Sequence, residues 1–177
     1  LPLMDTVAVM TRRIRAGRAD VFQRNGSSYA PAFSHAVQGT NYCDRLDVSA
    51  DGSTLVAAFD FFDTNRRVLV DVVSLDTGAL LNELDSSTVS TTNFAGGVSL
   101  SADGSIVAVG LWGDGPGPES ELVFLRRGEP APLASYSLPS SVLDLELSEN
   151  GALCVVGTKD VHATAPNNRG SVELYRV

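Results

Sequence analysis

The chain has 177 residues, of which 44% are hydrophobic and 19% charged, a composition typical of a packed globular protein and not of a disordered one. Its net charge of −8 disfavours nucleic acid as a main partner, because phosphate binding needs a basic surface. No apolar run approaches the ~18 residues that a membrane-spanning helix needs, so no membrane span is predicted.

Breaks in the hydrophobic pattern favour strands over helices. Glycine, proline and small polar residues interrupt the sequence throughout, and the runs between them are rich in valine, leucine, phenylalanine and alanine. These runs have the lengths of strands, and no long window keeps helical spacing without a breaker. We therefore predict an all-β chain.

One hairpin pattern recurs along the chain. It reads VSADGSTLVAAF at 48–59, LSADGSIVAVG at 100–110 and LSENGALCVVG at 147–157. The Asp-Gly and Asn-Gly pairs tolerate the positive φ angles of tight hairpin turns. Each copy predicts a short strand, a turn and a second strand of small apolar residues.

Two strand anchors give a repeat of about fifty residues. The apolar strand recurs with spacings of 49, 51 and 47 residues, at 7–9, 56–58, 107–109 and 154–156. A second strand recurs with spacings of 51, 51 and 50, at 21–22, 72–73, 123–124 and 173–174. One region of repeats follows, with units at about 1–38, 39–88, 89–139 and 140–177.

Each complete unit is predicted to hold four strands, A to D. In the second unit they are 43–49, 54–59, 68–75 and 79–84, and in the third 97–101, 105–111, 121–126 and 132–138. The first unit lacks a clear strand A and the fourth stops before strand D, which leaves 14 strands. Four-stranded antiparallel sheets at this period are typical of β-propeller blades, about 3.5 to 4 of them here.

Specific stretches carry a family resemblance. The SADGS turn followed by valine and alanine resembles YVTN-type and WD-repeat-like propellers, and VSLDTGALLNEL at 73–84 resembles quinoprotein-like blades. GSVELYRV at 170–177 is similar to integrin-type blades. The chain lacks the Gly-His and Trp-Asp dipeptides of WD repeats, has Leu84 where quinoprotein blades usually carry tryptophan, and lacks the integrin calcium loop. The resemblance implies the β-propeller superfamily and leaves the subfamily open.

In propellers of these families the B–C and D–A connections share one face, where ligands usually bind. Here the B–C loops are predicted to be long and unlike one another, at 11–18, 60–67, 112–120 and 158–170. Arginines there are candidates to clamp an acidic partner or a phosphate, and aromatic residues to form a platform for a sugar, a peptide or a protein. The alternative is that these loops differ in sequence only because they have no function that constrains them. The candidate residues are Arg12, Arg13, Arg15, Arg18, Phe61, Phe62, Trp112, Asp114 and His162.

Signals for catalysis are weak. Ser34 and His35 are neighbours on a predicted strand and point to opposite faces, so they do not form a nucleophile–base pair. Neither a GxSxG nor an HExxH motif occurs, and no cofactor or metal site is predicted.

Other polar and sulfur-containing residues are given structural roles. The acids Asp47, Asp144 and Glu146 on A strands are expected to line a central channel and to bind water or neighbouring backbone. Two cysteines are too few for a disulfide scaffold, and Cys154, within an apolar strand, is expected to be a buried free thiol.

The function predicted from the sequence is a non-enzymatic interaction module that binds a macromolecule through the B–C loop face. A propeller hydrolase such as a lactonase, with part of its site outside this chain, is the alternative, and a carbohydrate-binding propeller is the third. An arc of 14 strands leaves sheet edges open, so we expect a protein partner or a second copy to complete the propeller. A closed four-bladed ring, with residues 1–5 adding a strand to the last blade, is the other possibility.

Overall fold

The computed structural model describes residues 6–11, 16–40, 42–62, 66–86, 93–113, 120–160 and 169–177, and only the backbone of residues 6–11 and 16. Segment 1–5 lies outside the described residues, as do five of the predicted site residues: Arg12, Arg13, Arg15, Asp114 and His162.

The described residues form strands and turns without a helix. The strands are β1 (Thr6–Thr11), β2 (Ala16–Asn25), β3 (Ser28–Gln38), β4 (Tyr42–Val48), β5 (Thr54–Phe61), β6 (Arg67–Ser74), β7 (Leu80–Ser86), β8 (Ala95–Leu100), β9 (Ile106–Leu111), β10 (Leu122–Arg126), β11 (Ala134–Tyr136), β12 (Ser141–Leu147), β13 (Leu153–Lys159) and β14 (Gly170–Arg176). Since this part of the chain holds no helix, it also holds none that could span a membrane.

The strands form four antiparallel meanders, which we call sheets 1 to 4. Sheet 1 has the order β1-β2-β3, sheet 2 β4-β5-β6-β7, sheet 3 β8-β9-β10-β11 and sheet 4 β12-β13-β14. Sheets 2 and 3 therefore have strands A to D, sheet 1 has B to D and sheet 4 has A to C among the described residues. The predicted fold, an all-β chain forming part of a propeller, is confirmed.

Glycine turns close the hairpins where the sequence predicts them. Gly52, Gly104 and Gly151 have φ angles of 73°, 65° and 67° in the A–B turns. Gly78 and Gly128, at 73° and 80°, lie in the C–D turns of sheets 2 and 3. All five occupy the left-handed region, in which a side chain is strained.

Successive sheets pack face to face. Separate apolar clusters fill the spaces between sheets 1 and 2, sheets 2 and 3, and sheets 3 and 4. The A strands are also joined by hydrogen bonds across the sheets: Leu100 N donates to Asp47 Oδ2 at 2.8 Å and Leu147 N donates to Ser99 Oγ at 3.1 Å. The inner strands are thus tied in chain order, from β4 to β8 to β12.

The register of the repeat differs by one residue from the predicted one between units two and three. Val56 faces sheet 3, whereas Val107, its predicted counterpart, faces sheet 2. The residue of sheet 3 that corresponds to Val56 is Ala108, which faces sheet 4. A slip of one residue reverses the face of a strand, so only the packing fixes the alignment.

Some residues predicted to lie in loops belong to strands. Asp60 and Phe61 pair within β5, opposite Val68 and Arg67 of β6, and Arg18 lies in β2. Thr158 lies in β13, where it pairs with β14. The hydrogen-bonded strands extend beyond the apolar stretches of the sequence, because main-chain pairing does not depend on hydrophobic side chains.

Sheet 4 differs from sheets 2 and 3 in the face that points away from the preceding sheet. Val155, Val172 and Leu174 on this face are 46%, 78% and 64% exposed. The side chains at the corresponding positions of sheets 2 and 3 are all 0% exposed: Val56, Val70, Val72, Ala108, Leu122 and Phe124. Among the described residues, this face of sheet 4 is therefore an exposed apolar surface.

Candidate functional site: an aromatic row on the loop face

Four aromatic rings form a continuous row at the end of sheets 2 and 3 that carries the B–C and D–A connections. The Tyr42 and Phe62 ring centroids are 5.0 Å apart, those of Phe62 and Phe94 5.5 Å, and those of Phe94 and Trp112 4.9 Å. The interplanar angles of 72°, 66° and 58° are near the edge-to-face geometry that aromatic pairs favour. The row crosses the boundary between two blades.

An arginine lies on the row. The Arg66 guanidinium carbon is 4.1 Å from the Phe62 centroid and 4.8 Å from the Phe94 centroid. Both distances are within the range of cation–π attraction. Phe62 remains 38% exposed, and the other three rings and Arg66 are half-buried. The row is therefore an accessible surface that carries one positive charge.

The backbone under Trp112 is held by polar contacts. Trp112 N donates to Phe94 O at 2.9 Å, and Ser141 Oγ donates to Trp112 O at 2.8 Å. Gly113 N donates to Oδ1 of the buried Asn93 at 3.0 Å. These bonds fix the last pair of rings relative to sheets 3 and 4.

The structure brings together only some of the residues predicted from the sequence. Phe62 and Trp112 lie in one row, whereas Phe61 is buried between sheets 1 and 2, with the Arg67 guanidinium 4.4 Å from its ring. Arg18 forms an ion pair with Asp20 at 2.8 Å.

Sequence reasoning missed Tyr42, Phe94 and Arg66. Tyr42 is the first residue of β4 and Phe94 directly precedes β8, so both lie where a D–A connection meets strand A, and no site residue was predicted there. Arg66 was within a predicted B–C loop but carried no distinguishing signal. The two rings could have been found from the sequence, because D–A and B–C connections share one face of a propeller and aromatic residues near a D–A connection are candidates for the same surface.

A buried carboxylate lies in the strand below the row. Asp60 is 1% exposed, and its Oδ1 accepts a hydrogen bond from Ala95 N of sheet 3 at 3.2 Å. No donor among the described residues reaches Oδ2. Burial, and then the neighbouring Asp44 carboxylate, raise the pKa of Asp60 to about 7. Near neutral pH this group holds a proton for a substantial part of the time.

The acids expected to face a central channel have main-chain partners. Asp47 accepts from Leu100 N, as described, and from Val48 N at 2.8 Å, while Asp144 Oδ1 accepts from Leu145 N at 3.0 Å. Burial raises the pKa of Glu146, and the Asp47 and Asp144 carboxylates raise it further. The expected binding of neighbouring backbone is thus observed for Asp47 and Asp144.

Cysteines and potential metal ligands offer little chemistry in the described region. Cys43 and Cys154 are buried free thiols, as predicted for Cys154. Burial raises the pKa of Cys43 to about 12 and that of Cys154 to about 11, so both resist ionisation. Within the described ranges no group of three or more His, Cys, Asp and Glu residues is placed to hold a metal ion.

Comparison with known proteins supports the fold. No family model matches the sequence, and no curated protein matches it. The structure is similar to the crystal structure of the β-propeller domain of Cps50 (Swd1) from Myceliophteria thermophila, with a TM-score of 0.60 and 16% identity. The match covers 98% of this chain and 50% of the Swd1 chain, so the chain spans about half the length of that structure.

Proposed function

We propose that this chain is a non-enzymatic interaction module that binds a protein partner through the loop face. The aromatic row Tyr42–Phe62–Phe94–Trp112, with Arg66 lying on it, carries the proposal. Tyrosine, tryptophan and arginine are the residues most enriched in the energetic centres of protein interfaces. The rings already contact one another, so little side-chain entropy is lost on binding.

The charge of the surface suggests the chemistry of the partner. The Arg66 guanidinium lies over two rings, and a guanidinium carries five N–H donors that suit a carboxylate acceptor. A segment with an aromatic or aliphatic side chain next to a carboxylate matches this surface. A polyanion such as nucleic acid does not match a chain of net charge −8.

The proposal is testable with peptides selected against the intact chain from a random library. Trp112 is the only tryptophan, so its fluorescence reports binding at the row without a label. We expect the selected peptides to be rich in aromatic and acidic residues and to change the Trp112 emission on titration. Phe62→Ala should weaken binding at least about tenfold, as expected for a central interface residue.

The matched control is Tyr29→Ala. Tyr29 is 51% exposed and lies beside the β2–β3 turn, away from the B–C connections. It should leave the affinity unchanged. Equal affinity of Phe62→Ala and wild type would refute binding at the row. Saturable quenching by cellohexaose or maltohexaose would favour the carbohydrate-binding alternative, and turnover of a lactone would favour the hydrolase.

A further inference from the structure

The tip of the β2–β3 hairpin carries an Asn-Gly pair in an exposed turn. Asn25 pairs with Ser28, and Gly26 and Ser27 form the two-residue loop between them. All four residues are exposed, and Gly26 has a φ angle of 64°. A Cβ built at Gly26 would meet no atom within 4 Å outside its chain neighbours, so this side of the turn is open among the described residues.

The exposure of this turn follows from its place in the repeat. It is the C–D turn of sheet 1, and the C–D turns of sheets 2 and 3 are exposed as well, at 76–79 and 127–133. Both of those sheets pack against a neighbouring sheet on each side. A C–D turn therefore reaches solvent even where neighbouring sheets are present.

An exposed Asn-Gly pair undergoes a reaction that needs only water. The Gly26 main-chain nitrogen attacks Cγ of Asn25, the new C–N bond closes a five-membered succinimide, and the side-chain nitrogen leaves as ammonia. Water then opens the ring. Breaking the bond from nitrogen to Cγ gives aspartate, and breaking the bond from nitrogen to the main-chain carbonyl carbon gives isoaspartate. Glycine favours ring closure, because it has no Cβ to obstruct the attack and reaches the necessary backbone angles.

The chain has a second Asn-Gly pair, Asn150-Gly151, which hydrogen bonds hold in place. Asn150 Oδ1 accepts from Ser148 Oγ at 2.8 Å and from Ala152 N at 3.1 Å. Gly151 N, the atom that would attack, donates to Ser148 O at 2.8 Å. In the described ranges no hydrogen bond holds the Asn25 side chain. The two pairs share a dipeptide and differ in their freedom to react.

We propose that Asn25 is a site of spontaneous modification, at which the chain is converted to aspartate and isoaspartate through a succinimide. Either product places a carboxylate beside Arg24, whose Nε donates to Gly26 O at 3.0 Å. Isoaspartate also lengthens the main chain opposite Ser28, so the pairing of β2 with β3 ends at Arg24 and Tyr29.

Incubation of the intact chain at neutral pH tests the proposal, with peptic digestion in acid and mass spectrometry as the readout. We expect the peptide that contains Asn25 to gain the mass that separates a carboxyl from an amide. We also expect it to accept a methyl group from S-adenosylmethionine in the presence of a protein isoaspartyl methyltransferase. Asn150 should convert at least about tenfold more slowly, because its hydrogen bonds must break first.

Two controls show that the fold sets the difference. In the chain unfolded by urea the two Asn-Gly pairs should react at nearly equal rates. Ser148→Ala removes one of the hydrogen bonds that hold Asn150, so it should speed conversion there and leave the rate at Asn25 unchanged. Asn25→Gln should abolish the signal at residue 25, because closure would require a six-membered ring.

Three results would overturn the proposal. The first is conversion at equal rates at Asn25 and Asn150 in the folded chain. The second is no conversion at Asn25 in the folded chain under conditions in which the unfolded chain converts. The third is a gain of mass without methyl acceptance, which would show direct hydrolysis of the amide. None of them bears on the loop-face proposal, because the C–D turns and the aromatic row lie at opposite ends of the sheets.

Discussion

Replacing Asp60 with asparagine should stabilise the protein above neutral pH and have little effect below about pH 4. The Asp60 carboxyl is 1% exposed, and burial and Asp44 raise its pKa from 3.8 to about 7. Between these two values the folded state keeps a proton that the unfolded state has lost. Stability contributed by this group therefore falls as the pH rises from about 4 to about 7 and stays low above that.

The size of the effect follows from the pKa. At about 1.4 kcal/mol for each pH unit, the difference between 3.8 and about 7 corresponds to an upper limit of about 4 kcal/mol. Asparagine stays neutral at all pH values, and its Oδ1 can still accept from Ala95 N. We expect the melting temperature of Asp60→Asn at pH 8 to exceed that of wild type by about 5–10 °C.

The assay is thermal unfolding of both proteins from pH 2.5 to 8.5. Asp103→Asn is the control of opposite sign, because hydrogen bonds from Ser105 and Ser101 lower the pKa of Asp103 to about 2. That variant should lose stability at neutral pH, and the loss should shrink as the pH falls toward 2. Parallel melting curves for Asp60→Asn and wild type across the whole range would show that Asp60 ionises normally and would refute the reasoning.

Four further substitutions test the packing between and within the blades. Asn82→Ala removes three hydrogen bonds to the C–D turn of sheet 3, from Asn82 Nδ2 to Arg126 O and Glu129 O and from Gly128 N to Asn82 Oδ1, and should cost about 2–3 kcal/mol in urea unfolding. Gly110→Ala should lower stability by about 1–3 kcal/mol, because the new Cβ would clash with the Val142 side chain. Gly157 occupies the corresponding position of sheet 4, where a Cβ meets no close neighbour, so Gly157→Ala should change stability by less than about 0.5 kcal/mol. Gly104→Val should lower stability by about 1–3 kcal/mol, since φ is +65° and a Cβ would lie 2.5 Å from Thr54 Oγ1; an unchanged melting temperature would contradict the turn assignment.

The strand pattern could be predicted because turn chemistry is local. Asp-Gly and Asn-Gly pairs mark the A–B turns, and the predicted strands of sheets 2 and 3 lie within a few residues of the observed ones. Register could not be predicted in the same way. Val56, Ala57 and Ala58 are all buried, so the sequence of β5 does not show which residue faces which neighbouring sheet.

The candidate site was predicted only in part, because its residues are far apart in the sequence. Tyr42 meets Phe62 because β4 pairs with β5, and Phe94 meets Trp112 because β8 pairs with β9. Only the contact between Phe62 and Phe94 depends on sheets 2 and 3 lying side by side. Phe61 and Phe62 are adjacent in sequence, yet strand alternation buries the first and leaves the second on the row. The contact of Asp60 with Ala95 of sheet 3 could not be predicted either, because β5 extends to Phe61 and the predicted strand ended at residue 59.

The open face of sheet 4 is tested most directly by the rate at which a cysteine placed there reacts with a thiol reagent. Val172 is 78% exposed and Val70, its equivalent in sheet 2, is 0% exposed. Wild type gives a low background, because Cys43 and Cys154 are buried and their pKa values are raised. We predict that Val172→Cys reacts at nearly the rate of a free thiol, and that Val70→Cys reacts at least about a hundredfold more slowly. Equal protection of the two cysteines in the isolated chain would show that sheet 4 is covered and would contradict an open series of blades.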